Sequence, residues 1–272
     1  MKPLIAVAVL AVAAPAFAQA PAQPPAPAVA PEWRPLDPEN TLVVDTTKGR
    51  FIVEMRPEAA PLAVARIKAL ARRGYYDNSL FYRVLNSLAQ GGDKADKSFR
   101  SDLPDLRAEF TFKPGAGIPY YSAGTIPNGE IGFVGSLPVT VEKYSDGSQQ
   151  GWALFCPGVA SMPHYDDPHT ANSQVFFMKQ RATNLEKTFT AWGRVVSGQE
   201  VVDALNAGEP PPNPDKMTRV RVLADIPEAE RPKLEVIDPR SRAFAVLSHQ
   251  VFVEKGRNFT LCDIKLPVRP AP

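Results

Sequence analysis

Short runs of strand-forming residues recur along most of this chain, and only two segments have the spacing of an amphipathic helix. The first two runs, 41–46 and 50–55, are separated by the polar tripeptide 47–49, a pattern typical of a β-hairpin. Further runs occupy 80–85, 158–162, 174–178, 189–195 and 218–223. Many strands with few helices predict a mainly β fold. We expect a closed antiparallel barrel, because closure removes exposed sheet edges.

The two helical segments have recognisable ends. The first begins at Pro61, where proline suits the first turn of a helix, and ends at Gly74. The second covers 199–205 and ends before Gly208. We expect these two helices to cap the ends of the barrel.

Composition and charge narrow the classes of function. Of the 272 residues, 44% are hydrophobic and 22% are charged, which is enough apolar material for one sizeable core. The 31 basic and 29 acidic side chains give a net charge of +2, without a basic run long enough to follow a phosphate backbone. Nucleic acid is therefore not an expected partner.

The first eighteen residues have the organisation of a secretory signal peptide. Lys2 precedes an apolar run over 4–14, and Pro15 is followed by Ala16-Phe17-Ala18, which predicts cleavage after Ala18. The run is shorter than the roughly 20 residues that span a bilayer, so no stable membrane span is expected. Residues 19–40 are dominated by Pro and Ala and predict a linker. We expect export to the periplasm.

Export bears on the pair Cys156 and Cys262. An oxidising compartment favours a disulfide, which would stabilise the fold by roughly 4–5 kcal/mol in the chain-entropy model. Two buried, unpaired thiols are the open alternative.

The order of several motifs resembles that of the cyclophilins. The most specific is FYRVLNSLAQGGD at 81–93, and it is followed by GVASM at 158–162, ANSQVFFM at 171–178 and WGRV at 192–195. The resemblance covers 41–225 and implies a peptidyl-prolyl cis-trans isomerase without cofactor or metal, acting on proline-containing unfolded or folding protein clients. It leaves an insertion at about 111–157 and a C-terminal extension at 226–272.

The resemblance also implies the site. It places the catalytic arginine at Arg83, whose guanidinium would point at the nitrogen of the prolyl amide and weaken the conjugation that gives this bond its barrier. Arginine suits this role because it stays charged. The implied substrate-binding residues are Tyr82, Leu88, Gln90, Met162, Pro163, His164, Gln174, Phe176, Leu185 and Phe189.

Several positions depart from the family pattern. Tyr82 and Phe189 stand where the family commonly has histidine, Asn184 replaces a tryptophan, and Pro163-His164 replaces Ala-Asn. Because isomerisation breaks no covalent bond, we expect these changes to affect affinity and substrate choice more than reaction type.

The aromatic residues of the insertion allow two interpretations. We expect an extra hairpin beside the groove, which either offers a further surface to client chains or forms a small cluster that covers itself. The aromatic side chains in question are Tyr120, Tyr121, Phe133, Tyr144 and Trp152.

Three features of the sequence bear on other classes of function. A catalytically weak module that binds proline peptides on the same fold is the main alternative. The segment 164–169 contains two histidines and two aspartates, but their spacing matches no metal motif. Ser161, His164 and Asp166 lie close in sequence, yet a hydrolase triad is recognised by geometry and not by spacing.

Overall fold

The computed structural model describes residues 32–92, 100–115 and 117–272, which form three antiparallel sheets and three α-helices. The predicted signal peptide and the first part of the predicted linker lie outside the described residues. No α-helix in the described part of the chain is both long and apolar enough to cross a membrane.

The regular elements follow one another in this order: β1 (Trp33–Pro35), β2 (Thr41–Thr46), β3 (Gly49–Met55), α1 (Pro61–Arg72), β4 (Ser79–Leu80), β5 (Arg83–Val84), β6 (Leu88–Gly91), β7 (Tyr120–Ile126), β8 (Gly129–Val134), β9 (Leu137–Lys143), β10 (Gln149–Ala153), β11 (Val159–Met162), β12 (Val175–Met178), β13 (Thr190–Ser197), α2 (Gln199–Asp203), β14 (Lys216–Val222), β15 (Leu234–Ile237), α3 (Arg242–Lys255) and β16 (Val268–Pro270).

The largest sheet has nine strands in the order β4-β14-β2-β3-β13-β11-β12-β6-β5. It is curled but open, so the predicted closed barrel is wrong. Its edge strands β4 and β5 have only two residues each, and in the described part of the chain they are not paired with each other. The edges are nonetheless close in sequence, because only Phe81 and Tyr82 separate them.

The open edge has a physical cause in the segment 80–85, which was predicted to be one continuous strand. The Phe81 amide donates to the Asp215 carbonyl at 2.9 Å, and Val84 exchanges two backbone hydrogen bonds with Gly208. These groups bond to the loop after α2 and not to a neighbouring strand. The segment that carries Arg83 therefore lies at the gap of the curled sheet.

The main core lies between this sheet and α1. It includes the fully buried side chains of Phe51, Phe81, Phe177 and Trp192. Helix α1 packs on β14 and β13, and the shorter α2 packs on β3. The expected capping of two barrel ends is not confirmed, because the sheet is open.

The insertion forms a separate four-stranded sheet in the order β10-β9-β8-β7. The sequence predicted a single extra hairpin for this segment. Gly129 begins β8 and Gly132 lies within it. A Cβ atom on Gly129 would come within 2.0 Å of the Val141 carbonyl oxygen, and one on Gly132 within 1.9 Å of the Tyr121 carbonyl oxygen. These glycines permit close approach of neighbouring strands.

The C-terminal extension and the end of the predicted linker form the third sheet, in the order β1-β15-β16. The linker prediction for 19–40 is therefore wrong for 33–40, which hold β1 and a short 3₁₀ helix. Trp33 is held because it pairs with Ile237 and lies beneath the guanidinium of Arg269, 4.3 Å from the ring centroid. The extension also contains α3, a helix that the sequence did not predict.

A second core joins the insertion, the extension and the outer side of the main sheet. In it, Phe244 of α3 makes edge-to-face contacts with Tyr121 and Phe133 of the insertion, at 5.6 and 5.3 Å between ring centroids. Cys156 and Cys262 form a disulfide within it, so the open choice between paired and free thiols is resolved as a pair. The extension is thereby joined covalently to the segment that follows the insertion sheet.

Candidate active site

Arg83 stands on the edge strand β5, directly opposite Gln90 of β6. Its side chain is about one third exposed (35%), and its guanidinium makes two contacts. Nη1 donates to Gln90 Oε1 at 3.4 Å, and Nε donates to Glu209 Oε1 at 2.6 Å. The guanidinium is therefore fixed from two sides while it stays accessible.

Beside Arg83 lies an open cavity of about 770 Å³. It brings together eight of the eleven residues that the sequence assigned to the site: Arg83, Leu88, Gln90, Pro163, His164, Phe176, Leu185 and Phe189. Six further residues line it: Leu85, Ser87, Arg181, Ala182, Thr183 and Asn184.

The apolar part of the cavity is built from aromatic contacts between Phe176 of β12 and residues just outside β10 and β13. Phe176 is 2% exposed and lies opposite Gln90 in the strand register. Its ring makes an edge-to-face contact with Phe189 at 5.7 Å and stacks on Phe155 at 6.3 Å. Phe189 in turn lies 4.6 Å from the imidazole ring of His164. This arrangement gives a largely aromatic surface close to a guanidinium.

Met162 lines neither this cavity nor the smaller one next to it, although the resemblance implied that it binds substrate. Its side chain is fully buried in the main core. Alternation along β11 explains this position, because adjacent side chains of a strand point to opposite faces of the sheet.

A second cavity of about 330 Å³ lies beside the first. The two cavities share Gln90, Pro163 and His164, and the second also includes the predicted residues Tyr82 and Gln174. The Gln90 amide nitrogen donates to Gln174 Oε1 at 3.0 Å and to the Tyr82 hydroxyl. Because its nitrogen is held by these partners, Gln90 presents its carbonyl oxygen to Arg83.

The polar residues behind the rival interpretations have structural partners. The ring nitrogens of His164 lie 2.8 Å from the Thr188 carbonyl oxygen and 2.5 Å from that of Tyr165, and His169 Nδ1 accepts from the Ala108 amide at 3.0 Å. Within the described ranges, no group of three or more His, Cys, Asp or Glu side chains is arranged to hold a metal. Ser161 is buried and donates to the Thr190 carbonyl at 2.7 Å, so its hydroxyl does not face a cavity.

The insertion supports the cavity wall formed by 182–189. The Ala182 amide donates to the Phe155 carbonyl at 3.0 Å, and Lys187 Nζ lies 3.7 Å from the ring centroid of Trp152. Lys187 also pairs with Glu142 at 3.2 Å. Burial raises the pKa of the neighbouring Glu186 carboxyl, although the charges of Arg181 and Lys187 oppose this shift.

Sequence reasoning missed two parts of the site. The Pro-rich loop 209–215 was not assigned to the site, so the contact of Glu209 with Arg83 was not expected. The aromatic residues of the insertion were noted, but their contacts with 182–189 join segments that are distant in sequence, and local patterns contain no signal for them.

This geometry suits a ligand with a compact apolar group next to an amide. The aromatic side chains would bury the apolar group, while the adjacent guanidinium of Arg83 would donate a hydrogen bond to the amide. A guanidinium has only N–H donors, so Arg83 serves as a hydrogen-bond donor and not as a general base. The site therefore favours electrostatic and shape effects over proton transfer.

Comparisons with known proteins point to one family. The model of the cyclophilin type peptidyl-prolyl cis-trans isomerase/CLD family matches residues 41–223. A probable peptidyl-prolyl cis-trans isomerase of Brucella suis is 30% identical over 207 residues, which cover 70% of this chain and 85% of that protein. The peptidyl-prolyl cis-trans isomerase-like 1 protein of Aspergillus fumigatus is 27% identical over 190 residues. These cover 68% of this chain and 96% of that protein.

The similarity to a solved structure extends further along the chain. The crystal structure of the cyclophilin AquaCyp293 from Hirschia baltica has a TM-score of 0.79 and 28% identity, and it covers 88% of this chain and 94% of that chain. Residues 41–223 are about two thirds of the chain. The shared fold therefore includes residues outside the family domain.

Proposed function

This chain belongs to the cyclophilin-type peptidyl-prolyl cis-trans isomerase family, and on that premise we propose that the cavity beside Arg83 is where it isomerises peptide bonds before proline. The family makes the chain an isomerase and implies peptide or protein substrates. The observation that supports this location is the accessible guanidinium of Arg83 at the rim of a cavity floored by Phe176.

The proposed mechanism uses the two parts of the cavity separately. The proline ring of the substrate enters the apolar part formed by Phe176, Leu185, Leu88 and Phe189. Arg83 then donates to the prolyl nitrogen as the amide twists. The barrier of about 18–20 kcal/mol comes from sharing of the nitrogen lone pair with the carbonyl, and a donor at nitrogen reduces that sharing.

Arg83 supplies only part of the acceleration. A hydrogen bond to a charged group contributes roughly 1.5–3 kcal/mol, whereas a hundred-thousand-fold acceleration requires about 7 kcal/mol. The remainder is assigned to preferential binding of the twisted amide by the cavity. In this scheme Gln90, held by Tyr82 and Gln174, contacts the peptide backbone.

We further propose that the enzyme is exported and assists protein folding in the periplasm. The apolar run after Lys2 and the sequence Ala16-Phe17-Ala18 support cleavage of a signal peptide. The disulfide between Cys156 and Cys262 is consistent with an oxidising compartment. The clients of the enzyme would be unfolded or folding protein chains that contain proline.

The alternative of a weak proline-binding module is not favoured. The family model and the relatives named above are those of isomerases. The departures at Tyr82, Asn184 and Phe189 change the walls of the cavities, but Arg83 and its contact with Gln90 are present.

A protease-free isomerisation assay on a proline peptide tests the proposal. We expect the wild-type chain to be active and Arg83→Ala to lower kcat/KM by about ten- to a hundredfold, as loss of a charge-assisted hydrogen bond requires. Arg219→Ala is a matched control, because Arg219 is also a strand arginine but is exposed on β14 and lines neither cavity. Equal activities of wild type and Arg83→Ala would contradict the proposed role of Arg83.

A further inference from the structure

The contact between Arg83 and Glu209 has no assigned role in the proposed reaction. Glu209 Oε1 accepts from Arg83 Nε at 2.6 Å, and its side chain is 57% exposed. Among the described residues, Glu209 is the acidic residue that forms an ion pair with Arg83. An exposed pair of this kind contributes little to stability, so its geometry is of more interest than its strength.

Glu209 is held in place by the backbone on its N-terminal side. The neighbouring Gly208 exchanges two hydrogen bonds with Val84, at 2.8 and 2.9 Å, and Val84 is adjacent to Arg83. Gly208 has φ of 149°, and a Cβ atom there would lie 2.5 Å from Pro211 Cα. Only glycine fits this position. The two hydrogen bonds between Gly208 and Val84 therefore fix the backbone position from which the Glu209 side chain extends.

The other end of the loop is fixed as well. The Asp215 carboxylate accepts hydrogen bonds from the Asn206 backbone N–H at 2.8 Å and from the Thr47 hydroxyl at 2.6 Å. Between these anchors, three consecutive prolines, 210–212, restrict the backbone. The carboxylate therefore reaches Arg83 from a loop with little conformational freedom.

Different N–H groups of the Arg83 guanidinium have different partners. Glu209 occupies Nε and Gln90 contacts Nη1, and the two partners come from different segments. Two contacts on a planar group fix the orientation of its plane. The remaining N–H groups of the two Nη atoms are left for the cavity.

We propose that Glu209 is a positioning residue, which engages Nε of Arg83 and so orients the Nη groups toward the prolyl amide. This inference rests on the proposed function of Arg83. It treats the ion pair as part of the productive arrangement, whereas a carboxylate that merely neutralised Arg83 would lower activity. The two roles predict opposite effects when Glu209 is removed.

The test compares Glu209→Ala and Glu209→Gln in the isomerisation assay. We expect Glu209→Ala to lower kcat about tenfold with KM within about twofold, because a misoriented donor acts on the transition state more than on binding. Glu209→Gln should retain most of the activity, since its amide oxygen can still accept from Nε. Glu228→Ala, at an exposed glutamate that forms no ion pair with a described residue, is the control.

A double-variant cycle assigns the effect to Arg83. In an Arg83→Ala background, Glu209→Ala should cause no further loss, because the group that it orients is gone. Thermal unfolding of each variant shows whether it is folded. Unchanged or increased activity of Glu209→Ala would overturn this inference while wild type and Arg83→Ala still differ. An inactive wild type would instead overturn the proposed function, and this inference with it.

Discussion

Glu54 is a carboxylate with almost no exposure to solvent, yet it is surrounded by donors. Arg34 donates to both of its oxygens, at 2.5 and 2.9 Å, and the Ser136 amide donates at 3.0 Å. Burial opposes ionisation of Glu54, but the hydrogen bonds and the charges of Arg34 and Arg56 outweigh it and lower its pKa to about 2. This one side chain thereby links β1, β3 and the turn between β8 and β9.

The lowered pKa predicts an acid-sensitive contribution to stability. The unfolded chain binds this proton near the ordinary pKa of 4.5 and the folded chain only near 2, so the contribution is complete above 4.5 and is lost as pH falls toward 2. Glu54→Gln should lower the free energy of unfolding at pH 7 by about 3 kcal/mol. It should also flatten the acid dependence measured by urea denaturation, while Glu228→Gln should leave it unchanged. An equally steep acid limb in Glu54→Gln would contradict this assignment.

The insertion sheet and the segment 182–189 form one structural unit at the level of elements. Trp152 of β10 lies beneath Lys187, and Phe155 just beyond β10 stacks on Phe176. The insertion was expected either to offer a client surface or to cover itself. The structure shows Tyr120, Tyr121 and Phe133 in the second core and Trp152 against the cavity wall, whereas Tyr144 is exposed.

Removing the Trp152 contact should loosen the cavity wall and leave Arg83 unaffected. We expect Trp152→Ala to raise KM about three- to fivefold with kcat nearly unchanged, as loss of a cation–π contact of roughly 0.5–1 kcal/mol requires. Trp33→Ala is the matched control, because Trp33 makes the same type of contact with Arg269 but lines neither cavity. A fall in kcat alone would show that the contact acts elsewhere.

The whole molecule is held together by a second core and a covalent link. The extension adds α3 to the core formed by the insertion, and its strands β15 and β16 form a sheet with β1. The disulfide between Cys156 and Cys262 closes a loop across a sequence separation of 106 residues. The chain-entropy model associates such a loop with a large restriction of the unfolded state.

Loss of this disulfide should therefore destabilise the chain strongly. We expect reductant, or the double variant Cys156→Ala/Cys262→Ala, to lower the free energy of unfolding by up to about 4–5 kcal/mol. Urea denaturation with and without reductant measures the effect. Reductant should not change the double variant, and the same midpoint for reduced and oxidised wild type would show that the link contributes nothing.

Several features of the fold were predictable because they depend on local chemistry. Strand-forming runs identified most strands of the main sheet, and Pro61 marked the start of α1 where the structure begins it. The motif around Arg83 identified the family, which the comparisons confirm. The strands of the insertion were harder to predict, because glycine is typical of loops. Gly129 and Gly132 suit a strand here because the backbone of a neighbouring strand leaves no room for a Cβ atom.

The sequence by itself determined the mainly β character and the family, since propensity, spacing and motif order are properties of neighbouring residues. Tertiary structure alone decided that the sheet stays open, that Met162 lies in the core, and that Glu209 meets Arg83 across 126 positions of sequence. These outcomes depend on which distant groups satisfy each other's hydrogen bonds and fill each other's space. No local pattern encodes such a choice, because both partners must be in place before either contact exists.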